Sequence, residues 1–301
     1  MTQKELVRAA ASVPLAVRWR ADVRPTLGIE AEERGRLLLQ MIAVFGPTPG
    51  LQQAYFDNLD RILAGRPVLA RPGRLVLGLG TGRCGSTSLT HLVASIRGAC
   101  ATHENPPLIH WRPRRAQIAM HVRRFARLRR HFSVVFDSAH WWLNAVPAVM
   151  SACPDAVFVG LLREPAATVA SFLHMKGDGP GSLNHWVRPG AGHWQPSSWD
   201  AVYPDFPLPR MDGPGDGPAA GPADGALKAG LIGRYVREYQ AALRKLERLR
   251  PAQTLLLATE ALGDDGTLRR LYDFLGAGDG MFAEVRLNAG TISDGDDRYR
   301  F

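Results

Sequence analysis

The chain reads as an α/β protein with a parallel β-sheet flanked by helices. Two observations predict this class. Short apolar runs of strand length recur along the chain, and sequence of helical periodicity separates each from the next. That alternation yields parallel strands whose crossover helices cover both faces of one sheet. A third observation points to function: the first apolar run passes straight into a glycine loop and then into a helix.

Residues 1–70 read as a helical N-terminal extension, and residues 71–301 as the α/β domain. Within the extension, Glu30 to Phe45 has an acidic start and an apolar end. Gln52 to Leu63 sets Tyr55, Phe56, Leu59, Ile62 and Leu63 at helical spacing. Leu75-Val76-Leu77-Gly78-Leu79 is the first predicted strand, followed by a helix from Thr87 to Ile96. Later strands are expected at 133–136, 157–162 and 254–257, with a second strand region ending near Thr102. An insertion at 176–225 is rich in Gly and Pro, and its first part carries Trp186, Trp194, Trp199, Tyr203 and Phe206. Long aromatic loops of this kind are more often lids than linkers. After it, Leu227, Leu231, Tyr235, Tyr239, Leu243, Leu246 and Leu249 mark an amphipathic helix.

The sequence has 301 residues, of which 46% are hydrophobic, enough for a sizeable core, and its formal charge is +9. The charge fits an anionic ligand but selects none, because the basic residues are mostly Arg in a chain rich in Ala, Gly and Pro. Cys84, Cys100 and Cys153 are an odd set without a CxxC pair, so neither a disulfide framework nor a zinc site is suggested. The nine histidines form no HExxH cluster, and no metal is expected. No uncharged apolar run approaches the ~20 residues of a membrane span. A cytoplasmic, soluble protein is the expectation. Between Arg112 and Arg130 there are eight arginines and no acid, with Ile118, Val122, Phe125 and Phe132 at helical spacing. This is an amphipathic helix with a basic face. A solvated face is the first reading and an acidic partner the second; no recognisable nucleic-acid module accompanies it.

Gly80 and Gly85 fit the GxxxxG skeleton of a phosphate-binding loop between strand and helix. Glycine lets backbone amides turn toward an anion, and the helix start adds partial positive charge. Ser86 stands where a nucleotide triphosphatase has Lys, and Arg83 places a cation inside the loop instead. Gly80, Gly82 and Gly85 also satisfy GxGxxG, and Glu104 lies where a dinucleotide-binding fold carries its ribose acid. An NAD(P)-dependent oxidoreductase is therefore the alternative, and a tight turn without a ligand the simplest one.

Arg83-Cys84-Gly85-Ser86-Thr87-Ser88-Leu89 resembles the 5′-phosphosulfate loop of bacterial and other sulfotransferases that use 3′-phosphoadenosine-5′-phosphosulfate (PAPS). Phe158-Val159-Gly160-Leu161-Leu162-Arg163-Glu164-Pro165, with Ser171 beyond, resembles the same family's 3′-phosphate motif. A strand-end Arg suits bidentate phosphate binding. A salt bridge from Arg163 to Glu164 or Asp178 is the plainer alternative. Thr259-Glu260-Ala261-Leu262 and 268–276 look like the family's closing strand and final helix. The family's Gly-rich basic segment has no clear counterpart in Asn288-Ala289-Gly290 or the run to Arg298 and Arg300.

The resemblance implies a P-loop nucleotide-binding-like sulfotransferase fold and transfer of a sulfuryl group from PAPS to a hydroxyl acceptor. The product would be adenosine 3′,5′-bisphosphate (PAP), and no metal is required. It assigns Gly82, Arg83, Cys84, Gly85, Ser86, Thr87, Ser88, Arg163 and Ser171 to the nucleotide. Arg83 would neutralise the leaving group. Glu104 is the first choice for the base and His103 the second; the plainer readings are an ion pair with Arg83 and a packed histidine. Asp137, His140 and Trp186 are candidate contacts for a small-molecule or glycan acceptor. For Asp137 and Ser138 a helix N-cap is the equal alternative.

Overall fold

The structure is a computed structural model that describes residues 45–105, 115–176 and 225–277, together with Gly35, Leu38, Leu39, Met41, Ile42 and Pro107. Trp186 and the other aromatics of the insertion lie outside the described residues, as do Asp178 and the segment from Asn288 to Arg300.

Among the described residues, five strands form one parallel sheet: β1 (Arg74–Leu79), β2 (Ala99–His103), β3 (Val134–Ser138), β4 (Val157–Leu162) and β5 (Thr254–Ala258). Their spatial order is β2-β3-β1-β4-β5, which puts β1 at the centre. The described helices are α1 (Pro49–Leu63), α2 (Ser86–Ala94), α3 (Arg115–Leu128), α4 (Trp142–Ala152), α5 (Pro165–Lys176), α6 (Gly225–Leu249) and α7 (Asp265–Leu275). The α/β class with a parallel sheet flanked by helices is thus as expected.

The strands are apolar on both faces because both faces are covered. Side chains alternate across a strand, so Leu75, Leu77 and Leu79 of β1 enter one core while Val76 enters the other. The first core holds residues of α1, α3, α4 and α6, including Phe56, Phe125, Trp142, Tyr235 and Tyr239. The second holds Leu89, Leu92 and Val93 of α2 and Leu271, Tyr272 and Leu275 of α7. Leu38, Leu39 and Ile42 are helical and join the first core, so the described part of the N-terminal segment packs directly on the domain.

The basic helix α3 is less free than its sequence implied. Arg124 is 2% exposed and faces Asp137 of β3. Arg123 and Arg127 lie over the Phe56 ring, each 4.4 Å from its centroid. Arg127 also pairs with Asp60 at 2.8 Å, and Arg129 with Asp155. Much of this charge therefore fastens α3 to α1 and to the sheet. Among the described residues, no helix is long and apolar enough to cross a membrane.

Candidate active site at the carboxyl edge of the sheet

Because all five strands are parallel, their carboxyl ends share one edge, where ligands of open α/β sheets bind. The chain leaves β2 at Glu104, β3 at His140, β1 at the glycine loop, β4 at Arg163 and β5 at Thr259. Every described candidate except Asp137 lies on or just beyond this edge, or on a helix rising from it.

The loop is built by close approach. Gly82 and Gly85 hold φ of 77° and 84°, and Gly85 serves as the N-cap of α2 with no side-chain cap bond. A Cβ on Gly85 would stand 2.8 Å from Thr259 Cγ2, and one on Gly80 would stand 2.3 Å from Cys84 Sγ. Thr259 Oγ1 donates to the Cys84 carbonyl at 2.6 Å, so the turn after β5 clamps the loop from outside. The Cys84 thiol is fully buried, and that burial raises its pKa against the nearby hydroxyl and amides of Thr81 and the amides of Gly82 and Ser86. It is a neutral filler. The exposed opening of the loop is the start of α2, whose first amides have no intrahelical acceptor.

Arg163 and Ser171 both meet Arg83 of this loop. Arg163 Nη1 donates to the Arg83 carbonyl at 2.6 Å, and Arg83 Nε donates to Ser171 Oγ at 3.2 Å. The two motifs, far apart in sequence, are therefore in direct contact. Burial and then the neighbouring Arg163 lower the pKa of Arg83 from its ordinary value. Gln240 of α6 donates to the Arg163 carbonyl and fixes that strand end. Among the described residues, Arg163 pairs with Glu260, at 4.0 Å. Glu164 instead accepts from the Ala167 amide at 2.6 Å, and the amides of Ala166 and Ala167 hold its carboxyl below the usual range. It caps α5, whose first residue is Pro165.

On the other side of the loop, Ser86 Oγ and His103 Nε2 are 2.9 Å apart. Strand β3 intervenes between β1 and β2, yet this contact brings the end of β2 to the loop. Glu104 Oε1 lies 3.1 Å from His140 Nδ1. Glu104 adopts φ 52° and Arg83 φ 53°, the two positive-φ residues other than glycine among the described residues. Left-handed backbone at such residues costs about 1–3 kcal/mol each and persists where the surroundings enforce it, often at functional sites.

Asp137 lies beneath the crevice rather than in it. It is fully buried, and its carboxylate accepts from Thr102 Oγ1 and, at 2.6 Å, from Trp142 Nε1, with Arg124 at 3.7 Å. Neither the acceptor contact nor the N-cap expected for it is its geometry: the α4 N-cap position is Trp141, without a side-chain cap bond.

Two residues of α6 went unread as site scaffold. The Tyr239 hydroxyl accepts from the Gly80 amide at 3.0 Å and donates to the His140 carbonyl at 2.9 Å. The Tyr235 hydroxyl donates to the Thr81 carbonyl at 3.0 Å. Burial pushes both phenols well above the ordinary tyrosine value, so they act as neutral struts. At helical spacing they looked like core stripe; the signal was that a buried Tyr hydroxyl needs a polar partner.

The strand order also removes the reason for the dinucleotide alternative. A Rossmann sheet places β2 beside β1, with its ribose acid at the neighbouring strand end. Here β3 occupies that place, and Glu104 is turned to His140.

No family model matches the chain, and no curated protein matches it in sequence. Among solved structures, it is similar to a sulfotransferase domain from the curacin biosynthetic pathway, with 13% identity, TM-score 0.42, and coverage of 69% of this chain and 76% of that one. It is also similar to a sulfotransferase from Alicyclobacillus acidocaldarius, with 16% identity, TM-score 0.38, and coverage of 73% and 88%. Both likenesses are distant.

Proposed function

We propose that this chain transfers a sulfuryl group from PAPS to a hydroxyl acceptor, a small molecule or glycan, and releases PAP. The observation that carries the reading is the meeting of Arg83, Arg163 and Ser171 at the uncapped start of α2. The Arg163 charge disfavours that of Arg83, and an anion near both relieves that repulsion. The helix start offers amides to the same anion. A nucleotide with phosphates at both its 5′ and 3′ positions answers both demands.

In this reading the amides from Gly82 to Thr87 and the hydroxyls of Ser86, Thr87 and Ser88 hold the 5′-phosphosulfate. Arg163 and Ser171 hold the 3′-phosphate. Arg83 neutralises charge on the leaving phosphate oxygen as the S–O bond breaks. Glu104 takes the acceptor proton as the new S–O bond forms. Every step uses groups of this chain, and the phosphates are met by cations of the protein.

PAP should raise the melting temperature without added magnesium. A ligand at 100 times its dissociation constant stabilises by about 2.7 kcal/mol, well within reach of a thermal shift. A shift with NAD(P) and none with PAP would reverse the assignment.

A further inference from the structure

Glu104 is held at three points. Its backbone adopts the left-handed φ of 52°, its amide donates to the Ser138 carbonyl at 2.8 Å, and its carboxylate meets His140 Nδ1 at 3.1 Å. The last contact is built from well-fixed parts. His140 is 7% exposed, its ring packs edge-on against Trp141 with centroids 4.9 Å apart, and its carbonyl accepts from Tyr239. Tyr239 in turn accepts from Gly80, the first residue of the glycine loop. A chain of contacts thus runs from Gly80 through Tyr239 and His140 to Glu104. The Glu104 side chain is 31% exposed.

We propose that His140 is a positioning residue: it donates from Nδ1 to Glu104 and aims that carboxylate at the acceptor, in a register that Tyr239 ties to the glycine loop. The inference rests on the proposed role of Glu104 as base. A Glu side chain has three rotatable bonds, and an exposed one samples many rotamers. A base must come within about 3 Å of the proton it takes. A buried imidazole donor removes most of that freedom. His140 does not touch the acceptor in this account, in contrast to the expectation from sequence.

Two measurements test it. Histidine-selective ¹⁵N NMR of the whole protein at neutral pH should show His140 protonated at Nδ1, with its resonance moved by Glu104→Gln. An unprotonated Nδ1 would overturn the proposal, since it cannot then donate. The second is a double-mutant cycle on sulfuryl transfer from PAPS to water, which needs no other acceptor. His140→Ala should lower the rate about tenfold, with PAP affinity unchanged. His140→Asn, which keeps a donor near the Nδ1 position, should recover most of the rate. In a Glu104→Gln background, His140→Ala should cost nothing further. Additive losses, or no recovery with Asn, would overturn the positioning role while leaving the base assignment standing. A normal rate in Glu104→Gln alone would instead remove the base assignment on which the proposal rests.

Discussion

Glu104→Gln lowers turnover by about 10²–10⁴, the span of general-base assistance, while PAP affinity stays at its wild-type value. The separation follows from where Glu104 sits. It leaves the end of β2, on the far side of β3 from the loop, whereas Arg163 leaves β4 on the other side of β1. The change therefore removes basicity at one flank and leaves the anion contacts at the other. Gln keeps the shape, and its carbonyl still accepts from His140, so the fold should survive; a melting curve checks this. Single-turnover rates with PAPS, beside calorimetric PAP titrations, separate chemistry from binding. If His103→Ala abolishes turnover and Glu104→Gln does not, the base is His103, which already lies 2.9 Å from Ser86.

Arg83→Ala lowers the transfer rate by about 10²–10³, the cost of losing one preorganised charge-stabilising donor. Its effect on PAP affinity should be smaller, because Arg163 and the α2 amides remain. Stability should hardly fall. Arg83 sits at φ 53°, and burial first and Arg163 second disfavour its charge, so the fold gains little from it. A residue that costs the fold and serves the ligand is the pattern expected at a functional site. Arg83→Lys, which keeps the charge but not the planar fork, should recover much of the rate and lose the Nε bond to Ser171. Initial rates and melting curves on the three proteins decide it. Equal stability with an unchanged rate in Arg83→Ala would place the catalytic cation elsewhere.

The sheet was readable because strands buried on both faces must be continuous apolar runs, as at 157–162. The loop was readable because its glycines and Arg83 are adjacent in sequence. Contacts between distant segments were not readable. Arg124 belongs by spacing to a basic face, yet it turns inward toward Asp137, a partner no local pattern reveals. Asp137 looked like a crevice residue because it ends an apolar run; its burial depends on Trp142 and Thr102, which reach it from α4 and β2. Tyr235 and Tyr239 count as apolar in any periodicity, so their hydroxyl bonds to the loop and to His140 stayed hidden. His140 was placed at the crevice edge, but its contact with Glu104 stayed hidden, since the sequence could not show that β2 lies beside β3.

Calorimetric titration of PAP and of adenosine 5′-phosphosulfate, without magnesium, into the wild-type protein and Arg163→Ala tests the central claim most directly. The two nucleotides differ at the 3′-phosphate, the group assigned to Arg163. Charge-assisted hydrogen bonds contribute about 1.5–3 kcal/mol each, so Arg163→Ala should weaken PAP by roughly 10- to 150-fold. Adenosine 5′-phosphosulfate should be nearly unaffected. Equal losses for both nucleotides, or no PAP binding by the wild-type protein, would contradict a PAPS-dependent sulfuryl transferase.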